Sequence, residues 1–336
     1  MTRAFLSRKA LRRLLILFLL LMLTAAAGWL VMIHMPGRSF HGPLPPLTPE
    51  QTALRDELRA DVEKLATGIG ERNTGHYDKL TQAADFIEKS FTQAGCTTRR
   101  QGYTVEGKNC DNLVAEIPGT SGGIVVVGGH YDSIAGSPGA NDNGTGVAGT
   151  LALARRFAKT RPRRTLRFVA FVNEEPPHFQ TEKMGSFVYA KACRERGDKI
   201  VAMVSIETIG CYLQDEGSQE YPLPILKKIY PARGNFIGFI GNTGSASLVK
   251  KSIGSFRRHA QFPSEGAAMF EWIPGVGWSD QWSFWRHGYC GIMVTDTAPF
   301  RYAHYHTGSD SAAQIDFDSM ARVVDGLEKV VAELAR

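Results

Sequence analysis

TLRFVAFVNEE (165–175) is the stretch that decides the fold. Within it, FVAFV (168–172) is an apolar run that reads as a buried strand. The run stops at Glu174 and Glu175. Two neighbouring carboxylates at the end of a buried strand repel each other and lose hydration, so a cationic partner is expected beside them.

Working outward, IVVVGGH (124–130), KIVAMVSIE (199–207), NFIGFIG (235–241) and GIMVTD (291–296) read as further strands. Between and after them, GTLALARRFAKT (149–160), MGSFVYAKACRER (184–196), DQWSFWRHG (280–288) and FDSMARVVDGLEKVVAEL (317–334) read as helices. Strands alternating with helices of this length predict crossover units and a mostly parallel sheet. TTRRQGYTV (97–105) and NLVAEI (112–117) read as a hairpin, which makes the sheet mixed. Earlier, Leu54, Leu58, Val62 and Leu65 recur at helical spacing over 49–70 with Thr48 as cap, and a second helix over 78–94 stops at Gly95. The fold class is therefore α/β, one domain over 49–336, with no internal repeat.

Ahead of it, residues 14–33 are twenty uncharged, almost wholly apolar positions, about the length of a membrane-spanning helix. Residues 1–13 are basic and read as a cytoplasmic leader, so the anchor would put the domain outside the cytoplasm. A cleaved signal peptide, with TAAA (24–27) supplying small residues, is the rival reading. Residues 34–48, rich in Pro and Gly, read as a linker. Of the formal charge of +6, the five cations Arg3, Arg8, Lys9, Arg12 and Arg13 belong to the leader, leaving about +1 for residues 14–336. That balance gives no argument for nucleic acid. The five cysteines include no CxxC or CxxH spacing, which speaks against a thiolate zinc knuckle. Cys96 and Cys110 flank the hairpin and are the pair expected to form a bridge.

The chemical candidates gather where strands end, as ligand sites do in open α/β sheets. His130 ends one strand, Glu174 and Glu175 follow another, and Glu207 ends a third. Asp142 lies in the glycine-rich turn GSPGANDNGTG (136–146), and His306 in a loop after the strand at 291–296. Singly, each has a bland reading: a structural histidine, a turn-forming aspartate, a solvated glutamate. Jointly they are imidazole and carboxylate donors able to hold two divalent ions, with one glutamate left over as a base. Asp132, two residues beyond His130, can orient the imidazole and is counted with the catalytic set.

GGHYDS (128–133), GANDNGTG (139–146), NEE (173–175) followed by MGS (184–186), and YHTGSD (305–310) together resemble the co-catalytic zinc aminopeptidases of metallopeptidase family twenty-eight. The resemblance covers roughly 50–335 and implies a zinc-exopeptidase-like fold with two zinc ions. By it, Asp142 bridges both ions beside a cis peptide to Asn143. His130 and Glu207 hold one ion, Glu175 and His306 the other. Glu174 becomes the general acid/base, and Tyr305 a donor to the developing oxyanion. The implied substrates are peptides with a free N terminus, shortened by one residue at a time.

Two departures stand out. Glu207 occupies a position where these aminopeptidases usually carry aspartate, which bears on whether the second ion is held. PPHFQTEK (176–183) lengthens the connection between NEE and MGS; within it, His178 and Glu182 are substrate-facing candidates against a solvated-loop reading. His304 competes with His306 as a ligand, and HTGSD favours His306. Trp278, Trp282 and Trp285 are candidates for a specificity pocket or for helix core. Ser279 and Asp280 match a family element and are read as pocket support. His259 and His287 are read as structural. Rival functions are a glutaminyl-peptide cyclotransferase on the same fold, working with one zinc, and a non-catalytic binding ectodomain.

Overall fold

The structure, a computed structural model, describes residues 7–336; residues 1–6, with Arg3 of the basic leader, lie outside the described residues. Helix α1 (Arg8–Met32) is long and apolar enough to cross a membrane, and none of it is buried in the molecule. A signal sequence at this position would meet the same criterion.

Residues 33–48 carry no helix or strand, but they are docked rather than loose. Met35 is buried in the core, Ser39 Oγ accepts the Ser264 N–H (2.9 Å), and Leu44 packs on the core. The Arg257 guanidinium donates to the carbonyls of Pro36 (3.3 Å) and Gly37 (3.4 Å). The stretch read as a linker is thus part of the domain's surface. Helix α2 (Pro49–Glu63) starts on a capping box, in which Thr48 Oγ1 accepts from the Gln51 N–H and the Gln51 side chain accepts from the Thr48 N–H. It runs on as a π-helical turn to Ile69, and α3 (Tyr77–Gln93) follows.

An eight-stranded sheet follows: β1 (Thr97–Val105), β2 (Lys108–Ile117), β3 (Ser121–His130), β4 (Arg164–Phe171), β5 (Ile200–Glu207), β6 (Ile237–Asn242), β7 (Ser264–Met269) and β8 (Gly291–Thr295). Its order is β1-β2-β4-β3-β5-β8-β6-β7. The four central strands β4, β3, β5 and β8 are mutually parallel. The hairpin joins β4 antiparallel, and the parallel pair β6–β7 joins β8 antiparallel. Helices α4 (Gly146–Phe157), α5 (Gly185–Glu195), α6 (Ala246–His259), α7 (Gln281–Arg286) and α8 (Phe317–Leu334) cover the faces. On α8, Met320, Val323, Val324, Leu327, Val331 and Leu334 are buried at helical spacing and close one side of the core.

α6 and β7 are elements that the sequence pattern left unassigned. Gly254 and four serines break up the apolar period of 245–259, and SEGAAM lacks the β-branched residues of the inner strands. The expected Cys96–Cys110 bridge is absent, and all five thiols are free. Hairpin register explains this. Cys110 pairs with Tyr103, whereas Cys96 precedes Thr97, which pairs with Glu116. Seven strand positions at about 3.3 Å each separate the two cysteines, far beyond disulfide reach.

Register brings the site residues level. His130 pairs with Phe171, just before Glu174 and Glu175, and Glu207 pairs with Thr295. Gly128 and Gly129 permit this close packing: a Cβ would lie 2.0 Å from the Val169 carbonyl oxygen at Gly128 and 2.5 Å from that of Ile206 at Gly129. Gly128→Ala is therefore expected to cost at least about 3 kcal/mol of stability, read as a lowered denaturant midpoint; an unchanged midpoint would contradict the register.

Candidate metal centre

The centre lies at the carboxyl ends of the four parallel strands. β3 delivers His130, β5 delivers Glu207, and the turn after β4 delivers Glu174 and Glu175. Asp142 comes from the turn before α4, and its peptide bond to Asn143 is cis. His306 comes from the loop between β8 and α8.

The five expected ligands converge. His130 Nε2 is 3.2 Å from Asp142 Oδ1 and 3.3 Å from Glu207 Oε2. His306 Nε2 is 3.0 Å from Asp142 Oδ2 and 3.4 Å from Glu175 Oε2. Two triads thus share Asp142, one on each carboxylate oxygen, and each groups its donor atoms closely enough to hold an ion. Glu174 Oε2 stands further back, 3.8 Å from His130 Nε2. It also forms a closely spaced group with His130 and Glu175.

Charge is crowded here. Glu174, Glu175, Glu207, Asp142 and His130 are all buried. Burial, reinforced by neighbouring carboxylates, drives Glu174 and Glu175 well above the usual carboxylate range, and Glu207 also rises. Burial opposes ionisation of Asp142 too, but the adjoining imidazoles of His130 and His306 outweigh it and hold Asp142 low. His130 is likewise disfavoured as a cation by burial, yet Glu207 and Glu174 raise it well above an ordinary imidazole. Glu175 Oε1 and His306 Nε2 are buried without a hydrogen-bond partner. Unpartnered oxygen and nitrogen donors aimed at common points fit a divalent cation, and two imidazoles with three carboxylates suit zinc.

Residues outside the expected ligand set hold it in place. Asp132 accepts the N–H groups of Glu174 (Oδ1, 3.1 Å) and Glu175 (Oδ2, 3.1 Å), fixing both glutamate backbones. Its Oδ1 is 3.5 Å from His130 Nδ1, whose nearer acceptor is the Asp132 carbonyl at 3.1 Å. Asp132 therefore positions the glutamates at least as much as the imidazole it was expected to orient. Asp310 accepts the N–H groups of Asn141 (2.8 Å) and Asp142 (3.1 Å) and the Tyr302 hydroxyl (2.8 Å), and burial raises it to about 6. Asn173, Thr208 and His306, beside or within the ligand set, have φ of 59°, 48° and 58°. Left-handed backbone at such residues costs of order 1–3 kcal/mol each, borne where side chains must point at one spot.

Arg72 escaped the sequence reading. It is wholly buried, and it donates to the carbonyls of Tyr131 (2.6 Å), Pro138 (2.6 Å) and Gly139 (2.7 Å). Burial lowers it to about 10, while Asp310, Asp132 and Asp142 pull the other way. It is a fixed cation behind the acidic cluster. No motif marks it: it stands in a polar, glycine-rich stretch, GIGERNTG (68–75), that reads as a turn.

Among the remaining candidates, the Tyr305 ring stacks on His306 with centroids 3.8 Å apart and also faces the cavity beside Glu207. His304 packs edge-on against Tyr302, outside both triads. Trp278 lines the cavity, whereas Trp285 is buried with its Nε1–H on the Gly291 carbonyl and Trp282 packs near Phe187. Ser279 Oγ donates to Glu207 Oε2 (2.7 Å). Asp280 is wholly buried, its carboxylate oxygens lack hydrogen bonds, and burial raises it to about 7. In 176–183, Glu182 is exposed but His178 is buried, and Gln180 donates to the Gly277 carbonyl. Pro176, Pro177, Gln180, Thr181 and Lys183 are exposed as well, so most of the loop is solvated and His178 is its buried exception. His259 meets Glu333, and His287 packs against Phe187.

A carboxylate–imidazole centre for divalent cations, set at the carboxyl ends of a mostly parallel sheet, defines a metal-dependent hydrolase. The chain belongs to Peptidase family M28, whose profile matches residues 112–331. It is 34% identical to the uncharacterized protein YfbL of Escherichia coli over 84% of this chain and 88% of that protein. Against leucine aminopeptidase 1 of Arthroderma gypseum it is 25% identical, over 85% and 75%. The fold matches a zinc aminopeptidase from Bacillus subtilis with a TM-score of 0.69, at 14% identity over 84% of this chain and 95% of that one. A glutaminyl cyclase from Fimbriiglobus ruber also shares the fold, with a TM-score of 0.62 at 18% identity over 87% and 97%.

The raised carboxyls set the sign of a metal test. A folded-state carboxyl raised above its unfolded value weakens the metal-free fold as pH rises through that interval, and a bound dication removes the penalty. Zinc is expected to raise the melting temperature over the chelated protein by about 5–15 °C at pH 8, and by less at pH 5.5. Equal increments at both pH values would contradict the arrangement.

Proposed function

We propose that this protein is a metal-dependent aminopeptidase that removes N-terminal residues from peptides at a dinuclear zinc centre, held to a membrane by α1 with its catalytic domain on the periplasmic or extracellular side. The observation carrying this reading is that Asp142 turns one carboxylate oxygen to His130 and Glu207 and the other to His306 and Glu175. Zinc, when bound, supplies Lewis-acid polarisation of the scissile carbonyl and a water of lowered pKa.

The chain's own residues do the rest. Glu174 takes a proton from the attacking water and returns it to the leaving amine, a role suited to a buried carboxyl with a raised pKa. Tyr305 donates its hydroxyl hydrogen toward the oxygen that gains charge. Beside Glu207 and Tyr305 opens an apolar cavity walled by Phe236, Met269, Trp278, Met293 and Phe300. It suits the side chain of the N-terminal residue.

One observation favours a second reading. Glu207 Oε2 already accepts from Ser279 Oγ (2.7 Å) and Asn143 Nδ2 (3.2 Å), whereas Glu175 keeps an unpartnered oxygen. The longer glutamate does reach His130, but its nearer oxygen is engaged. A centre holding only the ion between Asp142, Glu175 and His306 would suit a glutaminyl cyclase. Amino acid released from a panel of aminoacyl amides, with two zinc ions per chain, supports the peptidase. Ammonia released from a glutaminyl peptide, with one zinc, supports the cyclase. Bound metal with neither product would leave a binding ectodomain.

Glu174→Gln is expected to keep the fold and the bound zinc while losing at least about a hundredfold in kcat. Near-normal turnover in that variant would remove Glu174 from the role.

A further inference from the structure

α1 leaves the domain at a definable place. Met35 sits against Gly266 and Ser39 binds Ser264, so the segment runs alongside β7 in the opposite direction. This carries the last turn of α1 to the carboxyl end of β7. There Met32 and Ile33 pack against a cluster that includes Ala267 and Met269, and Lys250 Nζ donates to the Leu30 carbonyl (2.5 Å). β7 is parallel to β6, and β6 is antiparallel to β8. The carboxyl end of β7 is therefore level with the amino ends of β3, β4, β5 and β8, opposite the metal centre.

The loops at that end are basic. AKTRPRRT (158–165), leading into β4, has four cations and no acid, and CRERGDK (193–199), leading into β5, has three cations against two acids. Lys250 and Lys251 lie in the second turn of α6. Asp198 is committed to Arg167 and Arg196 and Glu271 to Arg286, which leaves Glu195 as the one unpaired acid of these two loops. Lys159, Arg161, Arg163, Arg194, Lys199 and Lys251 are exposed and have no carboxylate partner among the described residues. Directly after β7, Phe270 and Trp272 stack on each other and are 48% and 72% exposed, an aromatic pair at the level where α1 emerges. In a chain whose residues 14–336 sum to about +1, 158–165 alone carries four positive charges with no acid to offset them.

We propose that this end of the sheet is a second membrane contact: its basic loops lie on the anionic phospholipid headgroups of the leaflet from which α1 emerges, with Phe270 and Trp272 at the interface. Cations within a Debye length of an anionic surface are attracted to it, and aromatic rings favour the headgroup level. The contact rests on α1 being an anchor. It would hold the domain upright, with the metal centre facing away from the bilayer and open to peptides in solution.

The test uses the full chain in nanodiscs of phosphatidylcholine alone and of phosphatidylcholine with phosphatidylglycerol, followed by amide hydrogen exchange. Exchange in 158–165 and 193–199 is expected to be at least about threefold slower in the anionic discs. The K159E/R161E/R163E variant should lose that difference while hydrolysing aminoacyl amides as before. Equal exchange in both discs, or protection that survives in the variant, would overturn the proposal. So would protection by soluble heparin with none from anionic discs, which would point to a polyanion. Failure of the chain to co-elute with either disc would remove the anchor itself, a result separate from the exchange rates.

Discussion

Mutual repulsion among buried carboxylates is the constraint around which this molecule is organised. Four parallel strands end at one level, and three of them deliver acidic or imidazole side chains there directly or through a short turn. Water cannot solvate so many charges in a buried site, and protons or cations must balance them. The chain supplies one fixed cation, Arg72, and directs it to backbone carbonyls behind the cluster rather than into it. The front of the cluster is left to dications. The supporting hydrogen bonds follow the same logic: Asp132 and Asp310 hold the backbone of Glu174, Glu175 and Asp142 through N–H groups and not through their carboxylates.

How far the sequence could be read depended on whether a signal was local. The inner strands were plain because TLRFVAFV and IVVVGGH are apolar runs of strand length, and α8 because its apolar period is unbroken. Strand ends then pointed to His130, Glu174, Glu175 and Glu207. Asp142 and His306 lie on loops, where residue type made them candidates and motif resemblance supplied their roles. What stayed hidden was long-range. Arg72 acts on a loop some sixty residues later in the chain, and β7 forms because β6 and Met35 cover it, not because SEGAAM favours a strand. The bridge expected between Cys96 and Cys110 failed for a related reason: which residues of a hairpin face each other is set by its turn, at Glu106–Gly107, and not by proximity in sequence.

Glu207 shows how one methylene shifts the balance at such a site. The longer side chain reaches His130, but in doing so it falls within range of Asn143 and Ser279. One half of the centre therefore starts from a satisfied oxygen and the other from an orphaned one. An ion held by His130 and Glu207 would therefore meet a donor already engaged, and one held by Glu175 and His306 would not.

The docked segment 35–39 has a consequence for a domain separated from α1. β7 ends the sheet, and an uncovered terminal strand is a template for aggregation by strand addition. Met35 and Ser39 lie against that strand, so a domain freed by cleavage just after α1 would carry its own edge guard with it. Cleavage a few residues later, beyond Ser39, would strip the guard and expose β7 to neighbouring copies.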